Sequence, residues 1–192
     1  MNSLAKSKEE VEEIYLFRRR IYAEQEGINY FGTAFSVDEN SVRFDQSTLY
    51  FQFTESGKLI ATAEADLKNN MSDELTRLGI HPGDQKKYRF QVIRHFVCDK
   101  THFTTEKRIS FLEYIFETLL YAGIDYTLIE AEEEIVEFYK SLGLKILWSI
   151  AGESDQKRVL MFWFTKDLSH FQKIKSPFTK ILLDYLNKPE SE

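Results

Sequence analysis

The residues whose types and positions could support acid–base chemistry include two carboxylates in the first half of the chain. Glu64 alternates with apolar residues along a β-rich segment, and Asp45 precedes that segment. A carboxylate on a strand beside a cleft can acquire a raised pKa and remove a proton from an amine through water. Each residue can equally be a solvated acid at a strand edge, so both interpretations stay open.

Arg94 is the unusual residue of a second β-rich segment, 89–97. Alternation places it on one face with Phe90, Val92 and Phe96, and that face is otherwise apolar. Because an unpaired buried charge is costly, we expect Arg94 to meet a carboxylate. The partner is either a substrate carboxylate or one of the two acids named above.

The histidines and the cysteine form no recognisable site. His81, His95, His102 and His170 lack metal-ligand spacing, so no metal site is predicted. Cys98 is the only cysteine, which excludes an intramolecular disulfide. A covalent role for its thiol is the less favoured interpretation.

Charge and hydropathy argue against several classes of protein. The net charge of −6 argues against general affinity for nucleic acid. No apolar run approaches about 18 residues, so no membrane span is predicted. The first residues lack the apolar segment of a secretory signal, and we expect a cytoplasmic protein. Basic clusters at 18–20 and 107–108 could meet an acidic protein or a phosphate, or could be solvated faces.

The elements that must position these residues begin with a helix over about 7–24. Ser7 and Glu10 have the spacing of a capping box. Four apolar residues follow at helical spacing: Val11, Ile14, Phe17 and Ile21. A hairpin is predicted next, with strands over 48–53 and 59–67.

The second half of the chain alternates strands and helices. The predicted elements are a strand over 89–97, a helix over 105–123 capped by Thr105, a strand over 126–131, a helix over 132–142 ending at Gly143, a hairpin of 144–150 with 159–165, and a helix over 176–187. This order predicts a layered α/β (α+β) fold with one βαβ unit at its centre. We expect one domain over 1–192, with its core at about 7–167.

Two sets of motifs resemble known acyltransferases. Residues 138–144, FYKSLGL, resemble the FYxxxGF-like signature of the GNAT superfamily, and they lie in the matching strand–helix–strand context. The resemblance implies the GNAT fold, a mixed and mostly antiparallel central sheet flanked by helices. Segments 16–22, 44–50 and 92–97 resemble acyl-homoserine-lactone synthases and long-chain N-acyl amino acid synthases.

Departures from these families narrow the expected reaction. The lactone synthases carry an Arg near the position of Glu64 and a Glu at that of Gln91, so their absence favours another amine acceptor. The glycine-rich pyrophosphate loop of ordinary GNAT enzymes is also missing, because 101–106 contains no glycine. A carrier-protein phosphopantetheine has no diphosphate to cradle, so this absence favours an acyl-carrier-protein donor over acyl-CoA.

The resemblance also implies roles for individual residues. Tyr139 lies where GNAT enzymes often place the acid that protonates the leaving thiolate, although a helix could bury it as a core residue. Glu64 and Asp45 are candidate catalytic bases or amine anchors. Arg18 and Arg94 are candidate acceptor-binding residues, and Arg18 could instead hold its helix against the central acids. Candidate contacts for the donor lie in the central strand and at the next helix: Phe96, Val97, Thr104, Thr105, Lys107 and Arg108.

The resemblance thus implies an N-acyltransferase that moves an acyl group from an acyl-carrier-protein or acyl-CoA thioester to the amine of a small acceptor such as an amino acid. The acyl-phosphopantetheine would be a substrate, and the reaction needs no metal. Two alternatives stay open. One is an acetyl-CoA-dependent N-acetyltransferase, and the other is a non-catalytic acyl- or carrier-binding module on the same fold.

Overall fold

The computed structural model describes residues 1–25, 48–66, 76, 87–150 and 158–188. The chain divides into two compact units. The first comprises Met1–Lys68 and Arg94–Phe111, and the second comprises Asn69–Ile93 and Leu112–Glu192.

The first helix, α1 (Lys8–Gln25), begins at the predicted capping box. The Ser7 hydroxyl accepts a hydrogen bond from the backbone N–H of Glu10 at 3.2 Å. The Glu10 carboxylate accepts from the backbone N–H of Lys6, so the returning bond lies one residue upstream of its usual place. The four apolar residues at helical spacing are all buried, none being more than 5% exposed. The predicted helix and its buried face are confirmed.

Three strands of the first unit form an antiparallel meander. β2 (Thr48–Glu55) and β3 (Lys58–Asp66) meet at Ser56 and Gly57, whose positive φ values of 50° and 77° are typical of a tight hairpin turn. This hairpin confirms the prediction. β1 (Asn2–Leu4) pairs with β2 and was not expected, because three residues are too short to carry a period.

β4 (Phe90–Cys98) contributes residues to both units. The strand order is β1-β2-β3-β4 in the first unit and β4-β5-β7-β6 in the second. α2 (Thr105–Tyr121) connects β4 to β5 (Tyr126–Glu132), and these two strands run parallel. The pairs β1–β2, β2–β3, β5–β7 and β6–β7 are antiparallel. The predicted βαβ unit and mixed, mostly antiparallel sheet are thereby confirmed.

The second unit is built around aromatic side chains. Its remaining elements are a 3-10 turn (Glu133–Ile135), α3 (Val136–Leu142), β6 (Lys145–Ile150), β7 (Arg158–Phe164), α4 (Leu168–Ile174) and α5 (Phe178–Leu186). The rings of Phe116 and Phe178 stack with centroids 4.4 Å apart. Trp163 and Phe171 pack edge-on against both of them. All four side chains are at most 1% exposed, so this aromatic cluster is part of the core.

The start of α2 differs from the prediction. Thr104, not Thr105, is the capping residue: its Oγ1 accepts from the backbone N–H of Lys107 at 3.5 Å, and its carbonyl accepts from that of Arg108 at 2.9 Å. Two threonines in succession offer the same hydroxyl to a helix start, so the sequence could not choose between them.

One further helix boundary differs, and one helix was not predicted. The predicted helix over 132–142 starts as the 3-10 turn, and only Val136–Leu142 is α-helical. α4 was not expected, because seven residues show little periodicity. The structure shows that Asp167 caps this helix, because its side chain accepts a hydrogen bond from the backbone N–H of His170 at 3.2 Å.

Gly143 ends α3 in the left-handed region, with a φ of 110°. An added Cβ would lie 2.5 Å from Cε1 of Phe171. Strain and overpacking together are therefore expected to make Gly143→Ala cost about 2–5 kcal/mol in the free energy of unfolding, measured by urea denaturation. Gly57 also has positive φ, but a Cβ there meets nothing within 4 Å, so Gly57→Ala is the control and should cost less. Equal losses in the two variants would contradict the crowding at Gly143.

Candidate functional site

The predicted residues Arg18 and Glu64 meet in the first unit. Nη1 of Arg18, on α1, donates to Oε2 of Glu64, on β3, at 2.8 Å. Nε of the same guanidinium donates to Oγ1 of Thr62 at 3.1 Å. Thr62 and Glu64 are two residues apart on one strand and share a face, which allows one guanidinium to bond both.

Burial makes this pair different from an ordinary surface ion pair. Arg18 is 1% exposed, whereas the Glu64 side chain is 16% exposed. Within the described part of the chain, Nη2 of Arg18 has no hydrogen-bond partner. One carboxylate oxygen of Glu64 is therefore held in place by a buried cation, and the carboxylate retains some access to solvent.

Two tyrosines complete the group, which we call the charged cluster (Tyr15, Arg18, Tyr50, Thr62 and Glu64). Tyr50 on β2 lies directly opposite Glu64 on β3. The Arg18 guanidinium lies 5.6 Å from the centre of the Tyr15 ring. Burial, a hydrogen bond with Tyr15 and the charge of Glu64 raise the pKa of Tyr50 well above its usual range. Tyr50 therefore stays a neutral phenol at all ordinary pH values.

Arg94 is exposed, so the expectation of a buried arginine is wrong. The buried face of β4 carries Gln91, Ile93 and Val97, the opposite set of the alternation. Alternation separates the two faces of a strand without saying which one meets the core. Arg94 keeps its predicted role as a candidate for a substrate carboxylate, and Asp45 lies outside the described residues.

The predicted donor contacts Phe96 and Val97 point to opposite faces of β4. Val97 is 4% exposed and packs against Phe17 and Ile21 of α1. The Phe96 ring lies 5.7 Å from that of Phe111, between ring centroids. Both side chains are thus used for packing, and a contact with the donor would involve their backbone.

The basic residues at the start of α2 have partners inside the protein. Nζ of Lys107 lies 2.6 Å and 2.8 Å from the two carboxylate oxygens of Glu55, and donates to the carbonyl of His102 at 2.9 Å. The hydrogen bond from Lys107 lowers the pKa of Glu55. Nη2 of Arg108 lies 3.8 Å from Sγ of Cys98. A phosphate at this helix start would have to share these cations or rely on backbone N–H groups.

Cys98 is half-buried, and its thiol lies beside Arg108. Burial raises its pKa, although the charge of Arg108 acts in the opposite direction. We expect iodoacetamide to alkylate Cys98 in the folded protein several-fold more slowly at pH 8 than in the urea-unfolded chain, because the thiolate is the reactive form. Because the pKa of Cys98 is raised, the alkylation rate of the folded protein should keep rising at pH values above the ordinary thiol pKa. Alkylation at equal rates in both states would contradict this burial and revive a covalent role.

Tyr139 lies in the second unit and is 2% exposed. It shares the buried face of α3 with Val136 and Leu142, and its ring centroid lies 5.5 Å from that of Phe138. Its backbone carbonyl accepts from the N–H of Leu144 at 3.1 Å, which helps to close the helix. Its position fits a core residue, and a catalytic role for the hydroxyl stays a prediction.

Sequence reasoning missed three members of the charged cluster: Tyr15, Tyr50 and Thr62. The available signals were the i, i+3 spacing of Tyr15 and Arg18 on α1 and the i, i+2 spacing of Thr62 and Glu64 on β3. Among the residues with described positions, no group of three or more His, Cys, Asp or Glu could hold a metal ion. Of the described helices, none is long and apolar enough to cross a membrane.

No family model and no curated protein matches the chain. Many solved structures resemble it, and three of them illustrate the likeness. The N-acyl amino acid synthase FeeM, from uncultured soil microbes, matches 87% of this chain and 96% of its own, with a TM-score of 0.65 and 15% identity. MesI, a CoA-dependent acyl-homoserine lactone synthase, matches 100% of this chain and 97% of its own, with a TM-score of 0.63 and 14% identity. The aminoglycoside 6'-N-acetyltransferase of Enterococcus faecium matches 86% of this chain and 97% of its own, with a TM-score of 0.61 and 11% identity.

The three structures resemble the chain in fold. At 11% to 15% identity they carry no residue-by-residue correspondence, but they cover most of both chains in each case. The chain therefore has the fold of the GNAT acyltransferases, which confirms the fold and the resemblance expected from the motifs.

Proposed function

We propose that the protein is an N-acyltransferase, which moves an acyl group from a thioester to the amine of a small acceptor such as an amino acid. The observation that carries the proposal is the shared fold, since the three solved structures are all named as acyl- or acetyl-transferring enzymes or synthases of acylated products. The charged cluster supports it, because a partly open carboxylate fixed by a buried arginine is suited to receive an amine.

The reaction is an aminolysis. The amine nitrogen attacks the thioester carbonyl, a C–N bond forms, and the C–S bond breaks to release a thiolate. One proton leaves the amine and one proton must reach the thiolate. Glu64 is the candidate that anchors the amine or accepts its proton through water, with Asp45 as the second candidate. Tyr139 is the candidate acid for the thiolate.

Arg18 is best described as a positioning residue. Its contacts with Glu64 and Thr62 fix the carboxylate on the α1 side of β3. Arg94 is exposed and thus suited to a carboxylate of the acceptor. Arg94 and Glu64 point to opposite faces of the sheet, because Val97 on the other face of β4 packs against α1, so they are separate candidates. We favour an amino acid as the acceptor class because a structure with the same fold is named as an N-acyl amino acid synthase.

The proposed donor is an acyl-carrier-protein thioester. Two features support it: the glycine-free segment before α2, and the pairing of Lys107 with Glu55, which leaves that cation less available to a diphosphate. The exposed Arg19 and Arg20 on α1 could meet an acidic carrier. The CoA-dependent neighbour keeps acyl-CoA as the second donor to test. The proposal places the reaction in the cytoplasm, in one domain formed by the chain.

Mass spectrometry of lipid extracts from cells that overproduce the protein tests the proposal. We expect a new N-acylated species with the wild type, and its loss with Glu64→Gln. The matched control is Glu117→Gln, an exposed carboxylate of α2, which should leave the product unchanged. If wild-type extracts contain no new N-acyl species, or Glu64→Gln yields the same amount, the proposed reaction or the role of Glu64 is wrong.

A second function is an acetyl-CoA-dependent N-acetyltransferase. The shared fold with the aminoglycoside acetyltransferase and the backbone N–H groups at the start of the 17-residue helix α2 favour it. Calorimetric titration with acetyl-CoA separates the two functions. A dissociation constant in the micromolar range would favour the acetyltransferase, and the absence of binding would favour the carrier-protein donor.

A further inference from the structure

Three polar side chains form a row across neighbouring strands of the second unit. Gln91 on β4 lies opposite Thr127 on β5 in the parallel ladder. Thr127 in turn lies opposite Trp163 on β7 in the antiparallel ladder. Residues directly opposed in a sheet point to the same face, so the three side chains lie side by side. We call this set the polar row.

The polar row is closed to solvent. Gln91 and Thr127 are 0% exposed and Trp163 is 1% exposed. Among the described residues, each retains a buried polar atom without a hydrogen-bond partner: Oε1 of Gln91, Oγ1 of Thr127 and Nε1 of Trp163. The amide nitrogen of Gln91 is satisfied, because it donates to the carbonyl of Val92 at 3.0 Å.

The rows on the two sides of the polar row differ in character. On one side, two residues away on the same face, are Ile93, Ile129 and Met161, which oppose each other in the same two ladders and are at most 2% exposed. On the other side are Arg89, Asp125 and Thr165, whose side chains bond other groups: Arg89 donates to the carbonyl of Ala122, Asp125 accepts from Lys166 and from the backbone N–H of Arg89, and Thr165 donates to the carbonyls of Ile124 and Asp125. The rings of Phe116 and Phe178 lie with centroids 6.0 Å and 5.8 Å from that of Trp163. Within the described part of the chain, none of these residues bonds the three polar atoms.

The three atoms match the bonding capacity of one water molecule. Nε1 of Trp163 only donates, Oε1 of Gln91 only accepts, and Oγ1 of Thr127 does either. A buried water makes about three hydrogen bonds in proteins. A cation would face the N–H of Trp163, and an anion would face the carbonyl oxygen of Gln91, so a neutral occupant fits best. Complete burial leaves water as the neutral molecule that is small enough.

We propose that the polar row binds one buried water molecule, which accepts from Nε1 of Trp163, donates to Oε1 of Gln91, and bonds Oγ1 of Thr127. The water thereby ties β4, β5 and β7 together. The β4–β5 ladder contains four residue pairs, so the loss of one contact there should affect the stability of the unit noticeably. The site is independent of the proposed acyl transfer.

The water site also gives Gln91 a structural role. A carboxylate there would be fully buried beside the N–H of Trp163. The charged residues of the adjoining row, Arg89 and Asp125, bond the carbonyl of Ala122 and the side chain of Lys166, so they leave the new carboxylate without a counter-ion and its ionisation would be disfavoured. Gln91→Glu should therefore lower the melting temperature most at pH values where a free glutamate is ionised, and least in mild acid. This pH trend distinguishes the site from one that tolerates a charged residue.

A high-resolution crystal structure of the wild-type protein tests the proposal directly. We expect density for a water within about 2.7–3.2 Å of at least two of the three atoms. Thr127→Val replaces the hydroxyl with a methyl group of similar size and should lower the melting temperature by about 2–4 °C. Thr127→Ser keeps the hydroxyl and should keep the water. Absence of the water from well-defined density, or a rise in melting temperature with Thr127→Val, would overturn the proposal.

Discussion

Replacement of Glu64 by leucine is expected to lower the free energy of unfolding by about 3–5 kcal/mol, because it leaves the Arg18 guanidinium buried without its counter-ion. Arg18→Met should cost less, about 1–3 kcal/mol, since the carboxylate left behind is partly exposed and can be hydrated. The double variant should cost less than Glu64→Leu alone, because it removes both charges together.

Urea denaturation of the three variants measures this asymmetry. The control pair is Glu137 and Lys140, whose charged atoms are 2.8 Å apart but whose side chains are 82% and 45% exposed. Glu137→Leu should cost about 0–1 kcal/mol. A loss in Glu64→Leu no larger than in Glu137→Leu would contradict the buried ion pair, and with it the positioning role of Arg18.

Tyr139→Phe is expected to lower kcat for acyl transfer by about 10²–10⁴-fold, the usual contribution of a positioned general acid. The proposed reaction requires a proton at the leaving thiolate, and the substitution removes only the hydroxyl. Tyr121→Phe is the control, because Tyr121 is 46% exposed on α2 and has no proposed role. Circular dichroism must show the same folded signal in both variants.

A donor with a more acidic leaving thiol distinguishes a catalytic role of Tyr139 from a structural role. A thioester whose thiol is more acidic needs less protonation as it departs, so the loss caused by Tyr139→Phe should shrink with an aryl thioester donor. A purely structural tyrosine would give the same fractional loss with both donors. Full activity of Tyr139→Phe with the natural thioester would end the catalytic assignment.

Much of the fold was predictable because its signals are local. The capping box at Ser7 and the spacing of the apolar residues marked α1, and the pair Ser56-Gly57 marked the hairpin turn. Gly143 ended α3 because the left-handed conformation and the contact with Phe171 exclude other residues. Each of these features depends on residues close together in the chain or on one backbone conformation.

The candidate site was less predictable because its contacts join distant residues. The sequence offered Arg18 and Glu64 as separate candidates, but their separation of 46 positions along the chain conceals their pairing. Alternation predicted that Arg94 is buried, because its neighbours on one face of β4 are apolar. The buried face of β4 is the other one. The partners Tyr50 and Thr62 became visible only once the register of β2 and β3 was known.

The most direct measurement combines the purified protein, an acyl-carrier-protein thioester and an amino acid, with free thiol followed by a colorimetric reagent and the product by mass spectrometry. We predict stoichiometric release of thiol and formation of the N-acyl amino acid, both lost in the Glu64→Gln/Tyr139→Phe double variant. Binding of the carrier without thiol release, with any acceptor or with acyl-CoA, would contradict acyl transfer and indicate a non-catalytic carrier-binding module on this fold.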